Sequence, residues 1–401
     1  MHRERRGALV LDGGPAALGI VRSLGRRGIA VWALLGEHKL AALSRYCTRA
    51  VSWPNASEPD RLRWLKELGC SHNLEGWVLF SASDETARFM SVNRAALMSQ
   101  YRLTTPDWEM MRWAYDKRLT HQLAASLGLS QPQTLFPRNR EELESLKCDF
   151  PVVLKPAFKP VRNRFTRSKA WLAHDRCELL ELYDEAVALI DPSLIMIQKM
   201  IDGGGENQFS YACFSLDGRP LGSLTARRTR QYPVDFGYSS SLVETVELPE
   251  IEKAATSLLS YLRYSGVSEV EFKYDSIENN YKLLDINPRF WTWHSLGAVA
   301  GVDFPYLVWQ AANDEAITEV RAIAGHKWVH MMMDLAAGAG EISRRRISLA
   351  RYLRSLSRIS EFAILSSDDP LPGLLEPGVL VYSRITRFVR RQRVESRLQK
   401  A

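Results

Sequence analysis

Alternating apolar and polar blocks along the first hundred residues set the opening elements. The run Ala8–Leu11 reads as a short buried strand and Asp12-Gly13-Gly14-Pro15 as a tight turn. A helix through Leu24 and a second strand at Ile29–Leu35 follow. Another apolar run, Trp77–Phe80, comes after a helical stretch around Leu62–Leu68. Strands alternating with helices predict a small α/β unit with a parallel sheet. The first turn invites a dinucleotide reading, but G-x-G-x-x-G fails because position 15 is Pro and position 18 is Leu.

Beyond a break near Tyr101–Pro106 a helix is predicted from Asp116-Lys117, with Leu119, Leu123 and Leu127 on one face and Gly128 as its stop. The segment 150–156 reads as a buried strand closed by Lys155-Pro156. A helix-like stretch at Glu178–Ile190 and strands at Leu194–Gln198, Phe209–Leu216 and Leu221–Arg228 point to a mainly antiparallel sheet. A helix over 251–263 follows, apolar on one face.

Residues 267–289, VSEVEFKYDSIENNYKLLDINPR, read as two strands around a polar turn at Glu278-Asn279-Asn280. Val270, Phe272 and Tyr274 alternate with Glu269, Glu271 and Lys273, while Leu283, Asp285 and Asn287 are expected on one face of the return strand. Antiparallel pairing then lets Glu271 meet Asp285 and Asn287. Three hard oxygen donors at one spot suit Mg²⁺, which keeps the rest of its coordination for water and phosphates. Arg289, ending that strand after Pro288, places a guanidinium beside the acids, where it can fork onto a phosphoryl group.

Composition narrows the class without changing this picture. The 401 residues allow two or three domains, and 46% hydrophobic with 25% charged residues is an ordinary globular balance. Residues 341–401 carry 13 Lys/Arg against 6 Asp/Glu, the whole of the net +7, and the first 340 residues are neutral. A chain-wide nucleic-acid surface is therefore not expected. Five scattered cysteines without a C-x-x-C pair fit a reducing cytosol rather than a disulfide framework. The first apolar run stops at Asp12, short of a signal-peptide core, and no run approaches the roughly 18 apolar residues of a membrane span.

Two further lysines, Lys117 at a helix start and Lys155 at a strand end, are placed to meet phosphate oxygens. Gln198-Lys199-Met200-Ile201 followed by Gly203-Gly204-Gly205-Glu206 reads as a strand turning into a hinge. Its backbone can face an adenine edge, Met200 and Ile201 can cover the ring, and Glu206 can accept from ribose hydroxyls.

The order Lys117, Lys155, hinge 198–206, Glu271, Asp285-x-Asn287-Pro288-Arg289 resembles the ATP-grasp superfamily, and within it carboxylate–amine ligases such as D-aspartate ligase and the synthetase units of carbamoyl-phosphate synthase. The resemblance covers roughly residues 7–310 and rests most on EFKYD…LLDINPR. It implies α/β and α+β architecture: a Rossmann-like domain over 1–105, a lid subdomain over 106–195, a core subdomain over 196–330, and a basic C-terminal helical extension over 331–401. By position, Lys117 and Lys155 would contact ATP phosphates, residues 198–201 the adenine and Glu206 the ribose. Glu271, Asp285 and Asn287 would hold Mg²⁺ or Mn²⁺, and Arg289 would face the transferring phosphoryl group. Two departures stand out. The loop after the second lysine, commonly glycine-rich in the family, is here AFKPVRNRFTRSKA over 157–170, with no glycine and five Lys/Arg. Asp285 also replaces the more usual Glu.

The resemblance implies an ADP-forming ligase that joins a small carboxylate to an amine through an acyl phosphate. Its rivals are a carbamoyl-phosphate-like phosphorylating enzyme and a nucleotide-binding protein with a degenerate site. Arg227, Arg228 and Arg230, before a Pro/Gly loop, are candidates for the substrate carboxylate, with a solvated loop as the alternative. Trp291, Trp293 and His294 read as packing residues. The tail 379–398 places Val381, Ile385, Phe388 and Val389 in one helical stripe among arginines. It either docks on the protein's own core or lies on an anionic membrane, the latter giving a cytoplasmic protein with peripheral membrane contact.

Overall fold

The computed structural model describes residues 6–159, 161–235, 237 and 239–379. Three sheets organise them. The first is five-stranded and wholly parallel, in the spatial order Arg49–Ser52, Val31–Leu35, Ala8–Leu11, Val78–Ser81, Arg102–Leu103. All four residues of Ala8–Leu11 are fully buried, as a central parallel strand covered on both faces requires. The strand order reverses between Ala8–Leu11 and Val78–Ser81, so a crevice opens at their carboxyl ends, where Asp12 and Asp84 stand.

The second sheet is antiparallel: Thr134–Leu135, Ile195–Lys199, Val152–Pro156, Trp171–Ala173. Leu154, Phe165, Leu179, Tyr183, Ile195 and Ile197 fill the space between it and the helix Arg176–Val187. The boundary expected after residue 195 would cut the strand Ile195–Lys199; the lid sheet ends at Lys199 instead.

The third sheet has eight strands. Asn280–Asn287, Gly266–Asp275, Gln208–Leu216, Arg219–Tyr232, Ser239–Thr245, Lys327–Val329 and Glu361–Phe362 lie side by side, and Val320–Arg321 pairs on Arg219–Tyr232. Glu361–Phe362 pairs in parallel with Lys327–Val329. The segment after residue 330 is thus no separate helical extension: it supplies a strand to the core sheet as well as the helices Met331–Ser343 and Leu349–Ser355. It also ties the sheets together. Arg22, on the helix Pro15–Gly25, donates through Nε to Asp369 Oδ2 at 2.9 Å and through a terminal nitrogen to the Ile364 carbonyl at 2.8 Å, all buried.

The five cysteines are unpaired. No helix among the described residues is long and apolar enough to cross a membrane. The basic stripe of 379–398 falls outside the described residues apart from Val379.

Candidate active site

The hairpin register sets the centre of the site. Phe272 faces Leu283, Glu271 faces Asp285 and Glu269 faces Asn287, with a register shift after Glu271. A regular ladder would have put Leu284 opposite Glu271. The extra residue, Leu284, is a β-bulge, and it alone brings Asp285 to the acidic face. Leu283 consequently does not share a face with Asp285 and Asn287 as expected; it is fully buried in the core with Val270, Phe272 and Ile286.

Asn287 Nδ2 donates to Glu269 Oε2 at 3.1 Å and Glu271 Oε1 at 3.2 Å. Its carbonyl oxygen accepts from an Arg289 terminal nitrogen at 3.3 Å. Glu269 lay on the alternating acidic face of the sequence but was not among the candidate ligands. It is buried and also accepts from Ser210 Oγ at 3.0 Å. Burial and then the neighbouring Glu271 charge push the Glu269 carboxyl up to about 7. Burial acts to raise Glu271 too, but Arg228, Lys169, Arg289 and Lys117 together hold it down at about 2.

Cations converge on this acidic face from three elements. Asp116 caps the helix Lys117–Ser126 by accepting from the Arg118 N–H, which fixes Lys117 in the first turn. From there Lys117 Nζ reaches Asp285 Oδ2 at 2.7 Å. Arg228 stands 3.3 Å from Glu271 Oε1. Lys155 projects from the lid strand Val152–Pro156; burial, with Lys117 and Lys169 nearby, pulls its ammonium down to about 8 against the attraction of Asp285. Arg289 Nε donates to Asp84 Oδ1 at 2.7 Å, so the crevice of the parallel sheet borders the same cluster. The sequence reading missed Asp84, although its place after a parallel strand at the reversal of strand order was a usable signal.

The hinge candidates divide. Gln198 is buried, and its side-chain amide donates to Thr134 Oγ1 at 2.9 Å and lies 3.2 Å from His121 Nε2. It is therefore spent inside the lid rather than turned to a ligand. Lys199 Nζ lies 3.7 Å from Asp149. The chain passes from lid sheet to core sheet through Met200 and Ile201, and Lys273 Nζ donates to the carbonyls of Ile201 at 2.7 Å and Gly203 at 2.8 Å. Glu206 is exposed, and its carboxylate accepts from the Gly204 N–H at 3.3 Å.

The three arginines proposed for one carboxylate go to three places, which corrects that expectation. Arg227 is exposed and donates to the Glu206 carbonyl at 2.8 Å. Arg228, on the opposite face of the strand, joins the acidic cluster. Bulges after Arg228 re-aim Arg230, whose guanidinium makes a two-pronged pair with Asp334 at 2.9 and 2.8 Å. Both side chains are nearly inaccessible, at 5% and 0%. Arg230→Ala is expected to cost about 3–5 kcal/mol of stability by leaving Asp334 buried without its partner. Urea unfolding checks this; a raised KM for an acid substrate at unchanged stability would return Arg230 to the substrate site. His294 is likewise structural. Its Nε2 lies 2.9 Å from the Ala16 carbonyl, and a Cβ on Gly19 would come within 2.7 Å of that nitrogen.

Among the described residues no group of three or more His, Cys, Asp or Glu side chains is arranged to hold a metal ion. Two carboxylates and an amide oxygen are nonetheless the donor set Mg²⁺ takes when phosphates complete its shell, so Glu271, Asp285 and Asn287 fit that ion.

A parallel crevice sheet, an antiparallel lid sheet and a mainly antiparallel core sheet carrying the Glu271–Asn287 hairpin make up the ATP-grasp fold, and the chain has it. Similar solved structures include an L-amino acid ligase from Bacillus licheniformis, with TM-score 0.60 and 17% identity over 77% of this chain and 74% of that one. A biotin carboxylase from Campylobacter jejuni in complex with β,γ-ATP gives TM-score 0.61 and 15% identity over 77% and 71%. The biotin carboxylase domain of a Hydrogenobacter thermophilus 2-oxoglutarate carboxylase, holding MgADP, ADP and bicarbonate, gives TM-score 0.63 and 14% identity over 80% and 73%. In sequence, 185 residues (44% of the chain) are 25% identical to the C-terminal section of the carbamoyl phosphate synthase large chain of Aquifex aeolicus, spanning 32% of that protein. The chain thus spans about a third of the length of that relative. No family model matches the chain.

Proposed function

We propose that the protein is an ATP-dependent ligase that joins a small carboxylate to an amine through an acyl phosphate. What supports the reading is the meeting of Lys117, Lys155, Arg228 and Arg289 with Glu271, Asp285 and Asn287 between the lid and core sheets. A carboxylate oxygen attacks the γ-phosphorus, the bond to the β,γ-bridging oxygen breaks, and ADP leaves. The amine nitrogen then attacks the acyl carbon, phosphate departs, and the nitrogen gives up a proton to become an amide.

The chain's part is position and charge. Lys117 and Lys155 neutralise phosphate oxygens. Arg289 has one hydrogen bond on each nitrogen, to Asp84, the Phe290 carbonyl and Asn287, which leaves one N–H on each terminal nitrogen for the phosphoryl group in flight. Arg228 holds Glu271 in place and the lid shields the acyl phosphate from water. Glu271, Asp285 and Asn287 would hold Mg²⁺, which would add to the neutralisation of phosphate charge.

ADP release that requires an acid and an amine together, with hydroxylamine trapping the acid as a hydroxamate, is the expected result across a panel of amino acids. The carbamoyl phosphate synthase likeness favours a second reading, in which bicarbonate is the phosphorylated acid. ADP release supported by bicarbonate and ammonia, but by no amino acid, would establish it. ATP binding without turnover on either panel would leave a nucleotide-binding protein.

A further inference from the structure

The segment 331–379 inverts the usual arrangement of a protein surface. On the helix Met331–Ser343 the buried residues are Asp334, Ala337 and Gly338, whereas Met332, Leu335, Ala336 and Ala339, at i, i+3, i+4 and i+7, are exposed. A surface helix ordinarily turns such a stripe to the core. On the helix Leu349–Ser355 Tyr352 is buried, while Leu349 and Leu353, one turn apart, are each 59% exposed. Leu374 and Leu375, in the last described turns of the chain, are 71% and 43% exposed. Eight of the seventeen large apolar side chains exposed among the described residues lie between 332 and 375, a concentration rather than the single scatter normal for a surface.

Buried polar contacts hold the three pieces together. Arg230, besides its pair with Asp334 on the first helix, donates to Ser355 Oγ at the end of the second at 2.7 Å. Gly338 leaves the space that the Tyr352 ring fills. His330 Nε2, just before the first helix, lies 3.4 Å from Glu376 Oε1. The inward faces are thus joined around Arg230 and His330, and the outward apolar faces are neighbours.

Charge decides what kind of partner fits. Residues 342–360 hold six arginines and no acid. Arg344 and Arg346 pair with Asp235, and among the described residues the exposed Arg345, Arg351, Arg354 and Arg358 have no ion-pair partner. Acids further on are spent on the protein itself: Asp368 pairs with Arg26, Asp369 is buried on Arg22, and Glu376 is buried beside His330. The sequence after Val379 adds seven Lys/Arg against one acid. A second copy of this face, or the chain's own residues 380–401, would bring like charge to it. An anionic surface with an apolar layer beneath meets both the arginines and the leucines.

We propose that this face, centred on Leu349, Leu353, Arg351, Arg354 and Arg358, rests on an anionic lipid surface. The leucines enter the boundary between headgroups and acyl chains, and the guanidinium groups meet headgroup phosphates. Contact of this kind is peripheral and needs no helix that crosses the bilayer.

Co-sedimentation of the full chain with vesicles tests this, using phosphatidylcholine alone and phosphatidylcholine mixed with phosphatidylglycerol, at low and high salt. Wild type is expected to pellet with the anionic vesicles only and to be released by salt. The triple variant Arg351→Gln/Arg354→Gln/Arg358→Gln is expected to lose roughly hundredfold in partition to the anionic vesicles. Leu349→Gln/Leu353→Gln is expected to lose roughly tenfold to hundredfold. Melting temperatures should stay near wild type, because all five side chains are exposed. Should the leucine variant unfold, the arginine variant still decides. A wild-type chain that ignores anionic vesicles would overturn the proposal. Anionic binding at full strength in both variants would also overturn it, by placing the contact on residues after Val379. A dimer in sedimentation velocity that Leu349→Gln/Leu353→Gln dissolves would give the face to a second copy instead, and would overturn it too.

Discussion

Replacing Asp285 by Asn is expected to lower Mg²⁺-dependent ADP formation on the order of 10²–10³-fold, with the far-UV spectrum and the melting temperature nearly unchanged. The large effect has two sources. Asp285 is the acid that the Leu284 bulge delivers opposite Glu271, and it is the ion-pair partner of Lys117 at 2.7 Å. The amide removes a negative charge from the proposed metal and releases Lys117 at once. Stability changes little because the Asp285 side chain retains 18% exposure and an amide fills nearly the same volume. Turnover at the wild-type rate under limiting Mg²⁺ would remove Asp285 from the site.

Lys155→Met is expected to weaken ATP binding by roughly tenfold to hundredfold and to slow phosphoryl transfer further, since a charge facing the phosphates is lost at little cost in volume. The same lysine sets an alkaline limit. Its ammonium is pulled down to about 8, so the charged form that binds phosphate is lost as pH rises through that value. Wild-type kcat/KM for ATP should therefore decline above pH about 8. In Lys155→Met the decline should be shallower. A pH profile flat to 10 together with unchanged ATP affinity in the variant would contradict the assignment.

The acidic face of the first hairpin strand was legible because alternation along VEFKYD is a period-two pattern over enough residues to fix faces, whereas along LLDIN the same pattern misplaced Leu283. The bulge was not, since Leu284 looks like any other strand residue and only the register reveals that it is extra. The parallel sheet of the first hundred residues could be read from strand and helix alternation, whereas the strand Glu361–Phe362 is two residues long and gains its identity only from the Lys327–Val329 edge. Arg230 was misread for a similar reason. Its partner Asp334 lies 104 residues further on, and charge clustering in sequence cannot show which of three neighbouring arginines a distant buried acid will take. Strand geometry then separated them, because Arg227 and Arg228 must point to opposite faces. Asp84 joined the site through a contact spanning 205 residues to Arg289, again a pairing that topology makes and local pattern does not.

The central claim is that a carboxylate oxygen becomes bonded to phosphorus, and oxygen tracing reads this directly. With a carboxylate that supports ADP release, labelled with ¹⁸O in both oxygens, mass spectrometry of the inorganic phosphate formed with the amide should find one ¹⁸O per phosphate. Unlabelled phosphate accompanying amide formation would contradict the acyl-phosphate account.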